Sequence, residues 1–150
     1  MKKISILIAI FLMFSNLHAK VSITSFSYQK VKKNKRIKWV KASKVIPGTV
    51  LLYQNSLLNE DKVTAKKLVI VNAIPEQMRY IKGSAKCKKR CNVTFSVDGG
   101  KTFHKSKKLF VGKGKKRHRA KVSEYTTIRW VVNELKGGKK TFVQYKARLK

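Results

Sequence analysis

The stretch YTTIRWVVNELKGGKKTFVQYKARL, residues 125–149, decides the fold. Two runs rich in Val, Ile, Phe, Tyr and Trp alternate apolar with polar residues, and the turn sequence KGGK stands between them. Alternation at period two suits a strand with one buried face, because successive side chains point to opposite sides of a sheet. Similar strand chemistry recurs upstream in VSITSFSYQKV (21–31), RIKWVKASKV (36–45), TVLLYQNSLL (49–58) and KKLVIVNAI (66–74). It continues in MRYIKG (78–83), NVTFSV (92–97) and TFHKSKKLFV (102–111). The intervals carry turn residues: KKNK, PG, NEDK, DGG, GKGKK and KGGK. No segment keeps a 3.6-residue apolar stripe for three turns. The pattern predicts one all-β domain, an antiparallel sandwich of about seven to nine strands, with a barrel as the alternative. Trp39 and Trp130 alternate with polar neighbours, so both are expected to point into the core. Pro47 and Gly48 have type II turn chemistry.

Outward from the strands, the N-terminus has a different character. Lys2 and Lys3 precede an apolar run over 4–14, and a short polar stretch leads to Ala19. This is the layout of a bacterial secretory signal peptide, with cleavage after Ala19. The run falls short of the roughly 20 residues a membrane-spanning helix needs. An uncleaved anchor is the alternative. Removing residues 1–19, which include two lysines and no acids, leaves 131 residues and takes the formal charge from +31 to +29. A surface so one-sided repels itself, so an anionic partner is the economical explanation; a generic solubilising role for lysine explains the six acids less well. Periplasmic or secreted localisation follows from the leader.

Ser96 to Phe103, SVDGGKTF, matches the Asp-box of sialidase-type propellers letter for letter. A hairpin explains every residue of it: Asp98 can accept backbone N–H bonds across the turn, and Gly99 and Gly100 tolerate positive φ. A sialidase would need further boxes, an arginine cluster, a tyrosine nucleophile and a much longer chain. Cys87 and Cys91, the only cysteines, bracket three cations, and in an exported chain they are expected to form a disulfide. The thiol–metal alternative lacks ligands, since only His104 and His118 accompany them in the exported chain, and structural zinc takes four. No metal site and no cofactor is expected. Gly-x-Ser-x-Gly, His-Glu-x-x-His and the phosphate-binding Gly-rich loop are all missing from the sequence, so the reading is non-enzymatic.

The functional lead is the set of basic clusters KVKKNKR (30–36), KCKKR (86–90), GKGKKRHR (112–119) and KGGKK (136–140). Each is expected on a turn or loop, and 112–119 is the one stretch with the composition of a disordered segment. The candidate anion-binding residues are Lys32, Lys33, Lys35 and Arg36; Lys88, Lys89 and Arg90; and Lys113, Lys115, Lys116, Arg117 and Arg119. Lysine predominates over arginine, favouring charge neutralisation over bidentate recognition. Aromatics are not interleaved with these runs in sequence, so a base-stacking platform is not suggested.

One order of landmarks adds a resemblance. Pro47, Gly48 and Tyr53; Asn59 and Ala65; Ile74, Pro75, Tyr80, Gly83 and Ser84; the hairpin from Ser96 to Gly100; and Ile128 to Trp130 follow one another. Over residues 45–150 this resembles the bacterial conserved-repeat domain of unknown function numbered eleven in its series. Asn72 stands where that family usually has Asp, and the family is usually multi-copy. The resemblance implies an immunoglobulin-like sandwich in a cell-envelope setting and no activity, because fold does not imply function. The combined expectation is a non-catalytic envelope protein binding an anionic polymer, lipopolysaccharide or an acidic polysaccharide, through lysine-rich loops. The alternatives are a module docking to another envelope protein, and an extracytoplasmic nucleic-acid binder.

Overall fold

The computed structural model describes residues 19–33, 36–88 and 90–150, so the expected leader lies outside the described residues apart from Ala19. Eleven strands occur among them: β1 (Val21–Lys33), β2 (Arg36–Lys41), β3 (Val50–Asn59), β4 (Ala65–Ala73), β5 (Met78–Tyr80), β6 (Lys86–Cys87), β7 (Cys91–Ser96), β8 (Phe110–Val111), β9 (His118–Arg119), β10 (Thr127–Leu135) and β11 (Lys140–Leu149). The large sheet runs β2-β1-β3-β11, with β5 and β6 both pairing along the far side of β11. The small sheet runs β4-β10-β7, and β8 and β9 form a separate ribbon. All pairs are antiparallel. The architecture is an all-β sandwich, and the opening stretch supplies the strand at the heart of each sheet: β10 in the small one, β11 beside β3 in the large one.

Period-two burial builds the core. Leu57, Val143, Tyr145 and Ala147 of the large sheet meet Ile70, Ile128, Trp130 and Val132 of the small one, all buried. An aromatic chain runs through it: Tyr53 stacks on Tyr145 at 5.0 Å between centroids, Trp130 lies 6.2 Å from Tyr145, and Phe95 lies 4.9 Å from Tyr125. Rings of this size dominate the apolar area removed from water.

Where the chain crosses between sheets, it is pinned. Asn59, fully buried, donates from Nδ2 to the carbonyls of Val63 (2.7 Å) and Leu135 (2.8 Å), tying the end of β3 to the end of β10. The KGGK turn fits because Gly137 lies against Lys62: a Cβ there would come within 2.3 Å of its carbonyl oxygen. Cys87 on β6 and Cys91 on β7 are joined as expected, so the disulfide staples the crossover from large to small sheet. Gly48 takes φ +86° and Thr49 N–H donates to the Ile46 carbonyl, the expected turn.

Three expectations are corrected. Trp39 is not in the core: it stands half-buried on the edge strand β2, paired with Lys30 on the face of the large sheet turned away from the core. Residues 102–111 form no continuous strand; His104 makes one bridge with Phe95, Ser106–Lys108 is a 3-10 turn, and pairing resumes only at β8. Only Leu109 in that segment is buried, so there is no alternating face to hold a strand. The 112–119 stretch is folded rather than disordered, as the 3-10 turn Gly114–Lys116 leading into β9.

Candidate functional site

The structure disperses the basic clusters. Strand register gives the sandwich two ends: Val21 of β1, Asn59 of β3 and Lys140 of β11 lie toward one, and Gln29, Leu51 and Arg148 toward the other. The disulfide loop with Lys88 and Arg90 belongs to the first end, as does the turn at Lys136–Lys139. The β1–β2 hairpin with Lys32, Lys33 and Arg36 belongs to the second. Lys113, Lys115, Lys116, Arg117 and Arg119 lie on the separate β8–β9 ribbon. Lys35 and Lys89 fall outside the described residues. The clusters are also less loop-like than expected: Lys32, Lys33, Arg36, Arg119 and Lys140 are strand residues. At the disulfide end a cleft of about 710 Å³ gathers Lys88 and Arg90 with Lys66 and Asn133, and the Glu134 carboxylate offsets part of its charge.

What the register does bring together is one face of the large sheet, the side turned away from the core. Cross-strand partners share a face, which aligns Lys41, Tyr28, Leu52 and Lys146 in one row across β2, β1, β3 and β11. The neighbouring row places Phe26 with Gln54, Gln144 and Lys86, and the next places Thr24 with Ser56 and Phe142. Trp39 pairs with Lys30, and Arg148 pairs with Arg79. None of these outer-face side chains is buried. The ammonium groups of Lys30 and Lys146 each lie 5.4 Å from the Trp39 ring centroid, and Phe26 and Tyr28 are in ring contact at 6.0 Å.

The six acids are sorted the other way. Glu60, Asp61, Glu76, Asp98 and Glu124 lie in connections and a 3-10 turn, and Glu134 lies on the small sheet, so no strand of the large sheet carries a carboxylate side chain. The outer face therefore bears Lys30, Lys32, Lys41, Arg79, Lys86, Lys140, Lys146 and Arg148 with no negative charge on the strands among them. Like charges placed opposite each other destabilise a sheet, and an anion lying across them relieves that repulsion. The face is hidden in the sequence because its aromatics stand outside the basic runs and meet the cations only across strands. Half of the signal was present: Phe26, Tyr28 and Lys30 recur at period two within SFSYQK.

The Asp-box turn is closed by its own hydrogen bonds. The Asp98 carboxylate accepts hydrogen bonds from Ser96 Oγ (2.6 Å), Thr102 Oγ1 (2.6 Å) and the amides of Lys101 (3.1 Å) and Thr102 (3.0 Å). These donors, Ser96 foremost, hold its pKa well below the carboxylate range. Gly99 and Gly100 have φ of +73° and +91°. Each of these partners belongs to the turn itself. His118 is similarly engaged: its Nδ1 faces the Lys116 carbonyl at 3.2 Å and its Nε2 faces Glu124 Oε1 at 3.0 Å. Both partners only accept, so the imidazolium satisfies both, and the Lys116 bond first and Glu124 second raise its pKa above 6.5.

Among the described residues, no group of three or more His, Cys, Asp or Glu is arranged to hold a metal ion, and no helix is long and apolar enough to cross a membrane. Comparison of the chain with models of known families, with curated proteins and with solved structures finds no match in any of the three.

Proposed function

We propose that this domain is a non-catalytic binder of an anionic polymer and that the large sheet is its binding side. The observation carrying the reading is the sorting of charge: the strands of the large sheet bear cations and no carboxylate side chains. A rigid sheet presents these cations at fixed spacing, so contacts are made without ordering a loop. The basic loops then extend the positive field around the face rather than forming the site. The leader-like N-terminus and the landmark order that resembles an envelope repeat domain support an exported, cell-envelope setting. There the available polyanions are lipopolysaccharide phosphates, acidic polysaccharide and extracellular nucleic acid.

The test is a salt titration of the purified protein against lipopolysaccharide, an acidic polysaccharide and DNA. Binding at low salt that weakens linearly on a log–log plot is the expected result. Indifference to all three at low salt overturns the reading. A second reading, a module docking to another envelope protein, draws on one feature: among the described residues β4 pairs on one side only, and Val69 and Val71 on it are 57% and 50% exposed. It predicts a co-purifying partner and weak dependence on salt.

A further inference from the structure

We infer that the outer face of the large sheet is a stacking platform for single-stranded nucleic acid, with Tyr28, Trp39, Phe26 and Phe142 taking bases and the surrounding lysines taking phosphates. The inference rests on the anionic-polymer reading and names the polymer. Charge alone would suit any polyanion; three further features select among them.

First, the face offers aromatic rings between its cations. Phe26, Tyr28, Trp39 and Phe142 all stand on it, none fully buried, although the core has its own aromatic set. Each ring keeps part of its surface open to water, and every base has a flat face with which to cover it. Second, Lys30 and Lys146 both converge on the Trp39 ring. A phosphate drawn to either ammonium is thereby brought beside the indole, which is the juxtaposition a nucleotide presents. Third, the neutral polar groups on the face are few, chiefly Ser22, Thr24, Gln54, Ser56 and Gln144, its strands carry no carboxylate, and Glu60 at its margin is already engaged by Lys20 and Ser22. Sugar hydroxyls donate as well as accept, and a surface dominated by donor-only ammonium and guanidinium groups leaves those donors poorly served. A duplex would satisfy the cations but keeps its bases stacked inside, leaving the rings uncovered. An unpaired strand uses both kinds of group at once.

The probes are an oligothymidylate, an abasic strand of equal phosphate number, a duplex and an acidic polysaccharide, each bound to the full protein at about 0.15 M salt, where long-range attraction between exposed charges is largely screened. Trp130 is fully buried and Trp39 only half-buried, so a change in tryptophan fluorescence on adding a strand reports on Trp39. The expected result is that oligothymidylate binds at least roughly tenfold more tightly than the abasic strand and quenches the fluorescence. Trp39→Ala and Tyr28→Ala should each weaken oligothymidylate binding by about five- to a hundredfold while leaving abasic binding nearly unchanged, and Trp39→Phe should retain most of it. Should Trp39→Ala unfold, Tyr28→Ala and the wild-type strand comparison decide alone. Equal affinity for oligothymidylate and the abasic strand, or stronger binding of the polysaccharide or duplex, overturns this inference and leaves the anionic-polymer reading standing. Failure to bind any of the four, even at low salt, overturns both.

Discussion

The ammonium of Lys146 lies 5.4 Å from the centre of the Trp39 ring, although their strands, β11 and β2, are separated in the sheet by β3 and β1. Lys30 approaches the same ring at the same distance. The indole thus lies over the sheet face and gathers cations from two other strands, β1 and β11, which gives an otherwise diffuse charge a centre. Such cation–ring contacts at exposed sites are worth about 0.5–1 kcal/mol each, enough to fix the indole and weak enough to yield to an anion.

Removing that pair should be felt in binding more than in folding. The double variant Lys30→Gln, Lys146→Gln should lose about tenfold or more in affinity for a polyanion at low salt. The slope of log affinity against log salt should shrink by about 1.4 on a single strand, as two fewer phosphates are neutralised. Its thermal midpoint should stay close to wild type. Isothermal titration across a salt series, with a melting curve on each protein, checks both.

The disulfide should stabilise the fold independently of the site. Closing the loop from Cys87 to Cys91 removes about 2 kcal/mol of unfolded-state entropy on the chain-entropy model. Cys87→Ser with Cys91→Ser should lower stability to denaturant by about that amount with binding at the sheet unaffected. Intact mass before and after reduction should differ by two hydrogens.

The core should be most sensitive at Trp130. It is fully buried, and its Nε1 has no hydrogen-bond partner among the described residues. Trp130→Ala should cost about 3–5 kcal/mol through the cavity it leaves. Trp130→Phe should cost clearly less, because it keeps most of the ring and deletes a buried donor without a partner. Chemical denaturation of both variants separates the two effects.

His118 should make the basic ribbon pH-sensitive. Its folded pKa is raised above 6.5, so the stability it contributes is fully present below the unfolded value and is lost as pH rises through the folded one. Glu124, held below 4.5 by the Lys121 amide and then by His118, contributes above its usual pKa and loses that contribution as pH falls through the lowered one. The anchor of β8–β9 is therefore intact in mildly acidic solution and loosens on the alkaline side. An NMR titration of the His118 ring should give a pKa above 6.5, and Glu124→Gln should lower it without abolishing the rise due to the Lys116 carbonyl.

The fold was legible where burial alternates. The strand Lys140–Leu149 is the second apolar run of the opening stretch, because Thr141, Val143, Tyr145 and Ala147 are buried and their neighbours are less so. The turns at Gly48 and at Asp98–Gly100 were legible too, being local chemistry. Trp39 was not, because period two tells which residues share a face and not whether another sheet covers it. The site was hidden for a related reason. Basic runs are visible along the chain, but the row of Lys41, Tyr28, Leu52 and Lys146 exists only through pairing across four strands. Phe26, Tyr28 and Lys30 carried part of it locally.

The measurement that tests the binding side most directly is a backbone amide chemical-shift map of the protein on adding oligothymidylate at low salt. Perturbations centred on Tyr28, Lys30, Trp39, Gln144 and Lys146 are predicted. Perturbations centred on the disulfide loop or on the ribbon carrying Lys113 to Arg119, with the sheet unmoved, would contradict the assignment of the face.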